Sequence, residues 1–215
     1  MMPENEEPIS ASTWLDWAKE LQAISQNGIT FARDPFDLKR YERIREIAAE
    51  IMAGGSHTSV KRVLDLFSSQ SGYATPKVDT RGVVFLTDQI LLVRELSDGC
   101  WTLPGGWADP LESAAEAVVR EVKEESGFDT RAVKLLAVYD RSKHPHEPPM
   151  PFHVYKMFIL CELIGGAASD SIETASAQFF QKNRIPELSR TRITREQISR
   201  MFEHLQNPGL PADFD

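Results

Sequence analysis

Apolar positions recur at helical spacing through the first third of the chain and at strand spacing through most of the rest. Trp14, Trp17, Ala18, Leu21 and Ile24 fall three and four apart, which marks one helix face, and Ser12 or Thr13 is placed to cap its start. Asp34-Pro35 offers an N-cap followed by proline at the first helical position. Tyr41, Ile44, Ala48 and Ile51 then form a second stripe that Gly54-Gly55 ends, and Val60, Val63, Leu64 and Phe67 predict a short third helix. A polar, turn-rich stretch over 69–76 reads as a linker between a helical block, 1–68, and a second domain, 77–215. In that domain, strands are predicted over 80–86 and 90–95 around a turn at Thr87-Asp88-Gln89, and again over 133–139, 154–162 and 177–180. The four prolines of 144–151 forbid regular structure there. Residues 195–205 read as a closing helix, and Pro208 and Pro211 mark a frayed tail.

Composition narrows the functional classes. With 215 residues, 41% hydrophobic and 26% charged, the chain is long enough for a buried core and ordinary for a globular protein. Its 32 acidic against 24 basic residues give a net charge of −8, which repels a phosphate polymer and makes nucleic acid a poor partner. Small anionic substrates remain open if a cation bridges them. Cys100 and Cys161 form no CxxC pair, so neither a disulfide scaffold nor a thiolate zinc site is expected. The opening MMPENEEPIS has no apolar core of a signal peptide, and the longest apolar runs are far too short to span a bilayer. A cytoplasmic protein with no membrane partner is expected.

The chemistry concentrates in residues 105–128. Asp109, Pro110 and Glu112 suit the start of a helix of about 17 residues, and Gly127 suits its left-handed end. On that helix Ala115, Val118, Val119 and Val122 share the face to be buried, and Glu121, Glu124 and Glu125 lie within about 100° of arc beside it. Glu112, Glu116, Arg120 and Glu124 run down a third stripe, one cation among carboxylates. Exposed like charges at this spacing cost only tenths of a kcal/mol, so the glutamates alone fit a solvated face. Their context argues otherwise: two strands lead into a Pro-Gly-Gly loop whose carbonyls meet the helix. Carboxylate and carbonyl oxygens suit Mg²⁺ or Mn²⁺. Two partly desolvated carboxylates about 5.5 Å apart repel by roughly 3 kcal/mol at an effective dielectric near 20, which a divalent ion relieves.

This stretch resembles the Nudix box, G-x5-E-x7-R-E-U-x-E-E-x-G-U with U apolar. Gly106, Glu112, Arg120, Glu121, Val122, Glu124, Glu125, Gly127 and Phe128 fill every defined position. The resemblance implies an α/β/α sandwich around a mixed sheet, preceded by a small all-α module, and hydrolysis of a nucleoside diphosphate linked to a moiety X. It also implies that the Gly106 carbonyl, Glu121, Glu124 and Glu125 hold Mg²⁺ or Mn²⁺, while Arg120 and Glu112 orient them and Gly127 shapes the motif. Trp14-Leu-Asp-Trp17 together with Asp34-Pro-Phe-Asp-Leu-Lys-Arg-Tyr41 is similar to the helical extension of a bacterial Nudix subgroup, with ADP-ribose and CDP-choline as example substrates. A triphosphate house-cleaning pyrophosphatase and a non-catalytic nucleotide sensor are the alternatives. The long apolar stripes of 1–68 point to a homodimer through these helices, against an intramolecular cap on a monomer.

Outside the box, Asp140, Arg141, Lys143, His144, His146 and His153 surround the proline-rich loop. The cations suit a diphosphate and the histidines a nucleotide or ribose. Arg81 and Arg94, on neighbouring strands, are candidate phosphate contacts, and Trp101 reads as packing. By family analogy a glutamate from a late loop serves as base or extra ligand, which makes Glu173 a candidate beside Glu124. Ser176 stands where related sequences often carry a second acid, so the base stays open between the two.

Overall fold

The structure is a computed structural model that describes residues 11–56, 58–169, 171 and 173–215. Residues 1–10, on which the expectation of no signal peptide falls, lie outside them. The chain divides between Thr75 and Pro76 into two compact units.

The first unit is helical, as the periodicity predicts. Helix α1 (Ala11–Phe31) is joined to α2 (Pro35–Gly54) by three residues, so the two pack side by side, and α3 (Val60–Ser68) closes the unit. Asp34 caps α2, its Oδ1 accepting the N–H groups of Phe36 and Asp37 at 2.8 and 3.1 Å. Helix α1 already runs at Ala11, ahead of Ser12 and Thr13, so neither is its cap. The small core holds Ala18, Ala48, Ala49, Met52, Val63 and Phe67. The buried side of α1 is the line through Ala18, Gln22 and Ser25, about 80° round from the tryptophan stripe. Trp14, Trp17 and Ile24 stay 47, 40 and 45% exposed, the two indoles stacking edge to face at 5.1 Å.

The second unit is a mixed sheet between two helices. Its elements are β1 (Lys77–Leu86), β2 (Gln89–Glu95), β3 (Trp101–Thr102), α4 (Ala114–Ser126), β4 (Phe128–Asp140), β5 (Val154–Gly166), β6 (Thr174–Gln181), α5 (Arg195–Gln206) and β7 (Asp213–Phe214). The order is β3-β2-β1-β5-β4-β7, with β6 also on β2; β1–β5 and β4–β7 are parallel and the other pairs antiparallel. Strand alternation sorts the core. Val84, Leu91, Val93 and Ile159 pack with Val118 and Val122 of α4, and Val83, Ile90, Leu92 and Phe158 pack with Ile198, Met201 and Phe202 of α5. This is the expected α/β/α sandwich. Trp101 packs edge to face on Phe180 at 4.8 Å, as its reading predicts.

Two further expectations are corrected. Helix α4 starts at Ala114 rather than beside Asp109-Pro110, because Leu111 has φ 73°, which no right-handed helix passes through. Ser113 is the cap: its Oγ accepts the Glu116 N–H and the Glu116 carboxylate accepts the Ser113 N–H in return. Ala115, expected on the buried face, is exposed in the first turn, and Ala117 lies in the core. The tail is docked, not frayed. Strand β7 pairs with β4, Asp213 accepts from Arg200 at 2.6 and 2.7 Å and from the Tyr139 hydroxyl at 3.1 Å, and the Asp215 carboxylate accepts the Asp140 N–H. Among the described residues no helix is long and apolar enough to cross a membrane.

Two stability predictions follow from this packing. A Cβ on Gly28 would fall 2.2–2.4 Å from the Tyr41 ring. Gly28→Ala, which in an open helix stabilises by up to about 1 kcal/mol, should instead cost about 2 kcal/mol in urea denaturation. The second concerns His146 in the proline-rich loop. Its Nδ1 lies 3.2 Å from the Arg190 carbonyl and its Nε2 3.3 Å from the Gln197 amide nitrogen, so the neutral ring with the proton on Nδ1 satisfies both. Burial first, then Lys156 and Arg141, push its pKa down to about 3. The unfolded chain takes up this proton first as pH falls, so stability is complete above about 6.5 and declines below it. Between pH 7 and 5 the wild type should lose about 2 kcal/mol more than His146→Gln, and equal losses would refute the buried neutral ring.

Candidate active site

The loop between β3 and α4 is tied edge-on to β1. Gly82 N–H donates to the Pro104 carbonyl at 2.7 Å, Thr80 N–H to the Gly106 carbonyl at 2.8 Å, and Ala108 N–H to the Val78 carbonyl at 3.0 Å. Gly105 has φ 140°, and a Cβ there would sit 2.0 Å from the Thr80 carbonyl oxygen, so only glycine lets the loop lie this close. Its N–H donates to Glu125 Oε2 at 2.8 Å. The Glu121 carboxylate lies against Gly106, where an added Cβ would meet Oε1 at 3.0 Å. Gly127, at φ 79°, ends the helix in the left-handed conformation.

Arg120 organises the other acids. Its Nε and Nη2 grip both oxygens of Glu112 at 2.8 and 3.0 Å, and its Nη1 bonds Glu121 and Glu124 at 3.0 Å each. The Glu112 contacts chiefly raise the guanidinium pKa, and Arg120 in turn lowers that of Glu112. Glu121 moves the other way, raised by burial against the pull of Arg120. Glu125 is buried, and burial lifts its pKa to about 7 although Arg81 and the Gly105 N–H oppose it. Glu121 and Glu125, both raised in pKa by burial, are oxygen donors that fit a hard divalent cation, and the Gly106 carbonyl, which accepts the Thr80 N–H, keeps a second lone pair. As the side chains stand, with Arg120 among the glutamates, no cluster of three or more acid, histidine or cysteine groups is drawn together as a metal cage among the described residues.

These groups line a cavity of about 1060 Å³. Gly105, Gly106, Glu121, Glu124, Glu125 and Arg120 form part of its wall, and Glu173 reaches it from the segment before β6. Trp107, Met150 and the prolines of the loop add apolar surface, and Arg192, paired with buried Glu95 at 2.7 Å, adds a cation. Asp79, Arg81, Lys156 and Arg141, all buried, form the floor. Burial works against ionised Asp79, but Arg81 and Lys156 outweigh it and hold its pKa at about 2; burial brings Lys156 down to about 8.

Not every sequence candidate arrives here. Arg81, Arg141 and Glu173 do, though Arg81 is already bound to Asp79 at 2.7 Å. Arg94, Asp140, Lys143 and His153 are not among the lining residues. Arg94 alternates onto the sheet face opposite Glu95 and donates to the Gly99 carbonyl of its own hairpin. Asp140 accepts from the Ser142 N–H and hydroxyl and pairs with His153, while Lys143 is exposed on the turn that follows. His144 is turned to Asp215, and His146 is enclosed as described above. Asp79, Glu95, Trp107, Lys156 and Arg192 are additional members of this neighbourhood. Their one sequence signal is a charge in a strand that otherwise reads as core, at Glu95 and Lys156, or directly before one, at Asp79.

Comparison with known proteins agrees with this geometry. Residues 76–202 match the NUDIX domain model, and residues 12–67 match a model described as a UDP-X-like, N-terminal oligomerisation domain. A Bacillus subtilis (strain 168) protein, YjhB, whose name provisionally assigns it as an ADP-ribose pyrophosphatase, is 46% identical over 202 residues, 94% of this chain and 97% of its own length. A crystal structure of a UDP-X diphosphatase, 31% identical, superposes with a TM-score of 0.61 over 95% of this chain and 99% of that one. That of an ADP-ribose pyrophosphatase from Streptococcus suis, 40% identical, gives 0.60 over 66% of this chain and all of the other. With the box complete, its glutamates gathered on one cavity wall and the domain matched over more than half of its length, the chain belongs to the Nudix family and is a Nudix pyrophosphohydrolase.

Proposed function

We propose that this enzyme hydrolyses the pyrophosphate bond of a nucleoside diphosphate linked to X, with ADP-ribose-like and CDP-choline-like compounds as leading substrates, in the cytoplasm and with Mg²⁺ or Mn²⁺. The observation that carries the reading is the single cavity wall of Glu121, Glu124, Glu125 and Gly106 facing into a space that also holds cations. On the substrate side it is supported by relatives named ADP-ribose pyrophosphatase and UDP-X diphosphatase.

In the reaction a water oxygen bonds to one phosphorus, the bridging P–O bond breaks, and nucleoside monophosphate and phospho-X leave, with the two protons of water passing to the new phosphate oxygens or, above their second pKa of about 6, to solvent. Glu121, Glu124, Glu125 and the Gly106 carbonyl would hold the metal. When bound, the cation neutralises diphosphate charge and acidifies water. The remaining work belongs to the chain. Arg120 keeps Glu112, Glu121 and Glu124 in place, and the Gly105 N–H fixes Glu125. Glu124, exposed at the cavity, and Glu173, which also lines it, are our two candidates to take the proton from water.

The helical unit serves, in this proposal, to make a homodimer. Its support is the matched oligomerisation domain and the uncovered stripe of Trp14, Trp17 and Ile24.

A panel of nucleoside diphosphate–X compounds and nucleoside triphosphates, followed by phosphorus NMR with and without EDTA, tests the reaction. Turnover of the former that stops on chelation is expected. Nucleotide binding without turnover would leave a sensor instead, and preferred cleavage of triphosphates would favour the house-cleaning activity. Glu121→Gln and Glu125→Gln should each lower kcat by about 100-fold or more, and Glu112→Gln by less. Equal small losses at Glu121 and Glu125 would overturn the metal assignment. Light scattering should give twice the 24.2 kDa chain mass, and a monomeric full chain would refute the dimer.

A further inference from the structure

The cavity floor holds more positive charge than its own acid balances. Arg81, Arg141 and Lys156 are 5, 6 and 2% exposed, and Asp79 beside them is 4% exposed. Strand register explains part of this: Asp79 of β1 lies opposite Lys156 of β5, and the Lys156 ammonium donates to the Asp79 carboxylate. Arg81 donates to the same carboxylate from Nε at 3.1 Å and from Nη2 at 2.7 Å. One acid therefore serves two cations. Arg141, from the turn after β4, pairs with no carboxylate among the described residues. Its Nη2 donates to the Pro148 and Thr191 carbonyls at 2.9 and 3.1 Å and its Nε reaches Thr191 at 3.4 Å, while Nη1 has no partner among the described residues. Glu125 and Glu95 act on Arg81 only at longer range, outside ion-pair distance.

At ion-pair distance the three buried cations have one carboxylate among them, with buried Glu125 and Glu95 acting on Arg81 from farther away, so the cluster is short of close anionic partners where burial makes charge costly. Folding does not require the excess. Asp79 and Arg81 would form a balanced pair without Lys156, and the carbonyls that hold Arg141 need donors rather than charge. The cluster also faces a space large enough for a ligand.

We propose that Arg81, Arg141 and Lys156 form a phosphate seat, separate from the glutamates of α4, with Asp79 as the positioning residue that anchors two of the three. This rests on the diphosphate reading above: the carboxylate wall with its cation serves one phosphate group and the basic floor the other. Guanidinium forks and an ammonium suit phosphate oxygens, and the anion supplies the missing charge.

The test uses the full chain in EDTA, with inorganic phosphate as probe, so that neither metal nor turnover enters. Phosphate should raise Tm and broaden its own phosphorus resonance. Lys156→Met, which leaves the Asp79–Arg81 pair balanced, and Arg141→Lys, which keeps the charge but removes the fork, should each weaken both effects. Circular dichroism identifies a variant that has lost its fold, and the other then carries the test. On the hydrolysed diphosphate the same variants should raise KM about tenfold with a much smaller change in kcat. If the wild type hydrolyses diphosphates while phosphate fails to bind, or binds both variants as well with unchanged KM, the seat is wrong and the reaction stands. If phosphate binds through these residues but no nucleoside diphosphate is cleaved, the seat stands and the reaction reading fails.

Discussion

Carboxylates crowded onto one half-buried wall repel one another, and the site depends on the groups that hold them there. Arg120 does most of this by spreading one guanidinium over Glu112, Glu121 and Glu124. Glu125 is held differently, by a single backbone N–H from Gly105, and burial drives its pKa toward neutrality. The glycine loop makes this contact because it lies flat against β1, where a side chain at Gly105 would collide with the Thr80 carbonyl. Helix, loop and strand are thus locked by the same few contacts that set the acids in place. A divalent cation would relieve a wall under this electrostatic load.

The sheet contributes the opposite charge. Parallel pairing of β1 with β5 puts Asp79 next to Lys156, and strand alternation sends Arg81 to the same face. The cavity is therefore acidic along α4 and basic on its floor. The loops that finish the cavity are tied to each other as well: Arg141 bonds the carbonyls of Pro148 and Thr191, and His146 bonds that of Arg190.

The helical unit obeys a different constraint. Its core is small, three of its six buried residues are alanines on α1 and α2, and Gly28 receives the Tyr41 ring. Close packing on that side leaves the tryptophan stripe turned about 80° away and uncovered.

Local sequence determined a good deal. The 3.6-residue and two-residue periods located the helices and the main strands, because burial on one face leaves a pattern that needs no knowledge of the partner. The spacing of Arg120, Glu121, Glu124 and Glu125 marks a candidate site, since a helix converts spacing directly into a shared face, and Gly106 and Glu112 join it from the loop ahead of α4. Boundaries were harder to read. Asp109-Pro110 looked like a helix start, yet the reciprocal bonds of Ser113 and Glu116 and the left-handed Leu111 placed it later. The tail looked frayed because its partners, Arg200, Tyr139 and Asp140, lie elsewhere in the chain. Charges outside the box depended most on tertiary structure. Arg94 and Arg81 look alike in sequence, but strand alternation sends one to its own hairpin and the other to the cavity floor. Asp79 and Lys156 are separated by most of the domain, and only the β1–β5 register joins them. Periodicity is a property of neighbouring residues and is written in the chain; the pairing of distant strands, and the charge they bring together, arises only when the sheet forms.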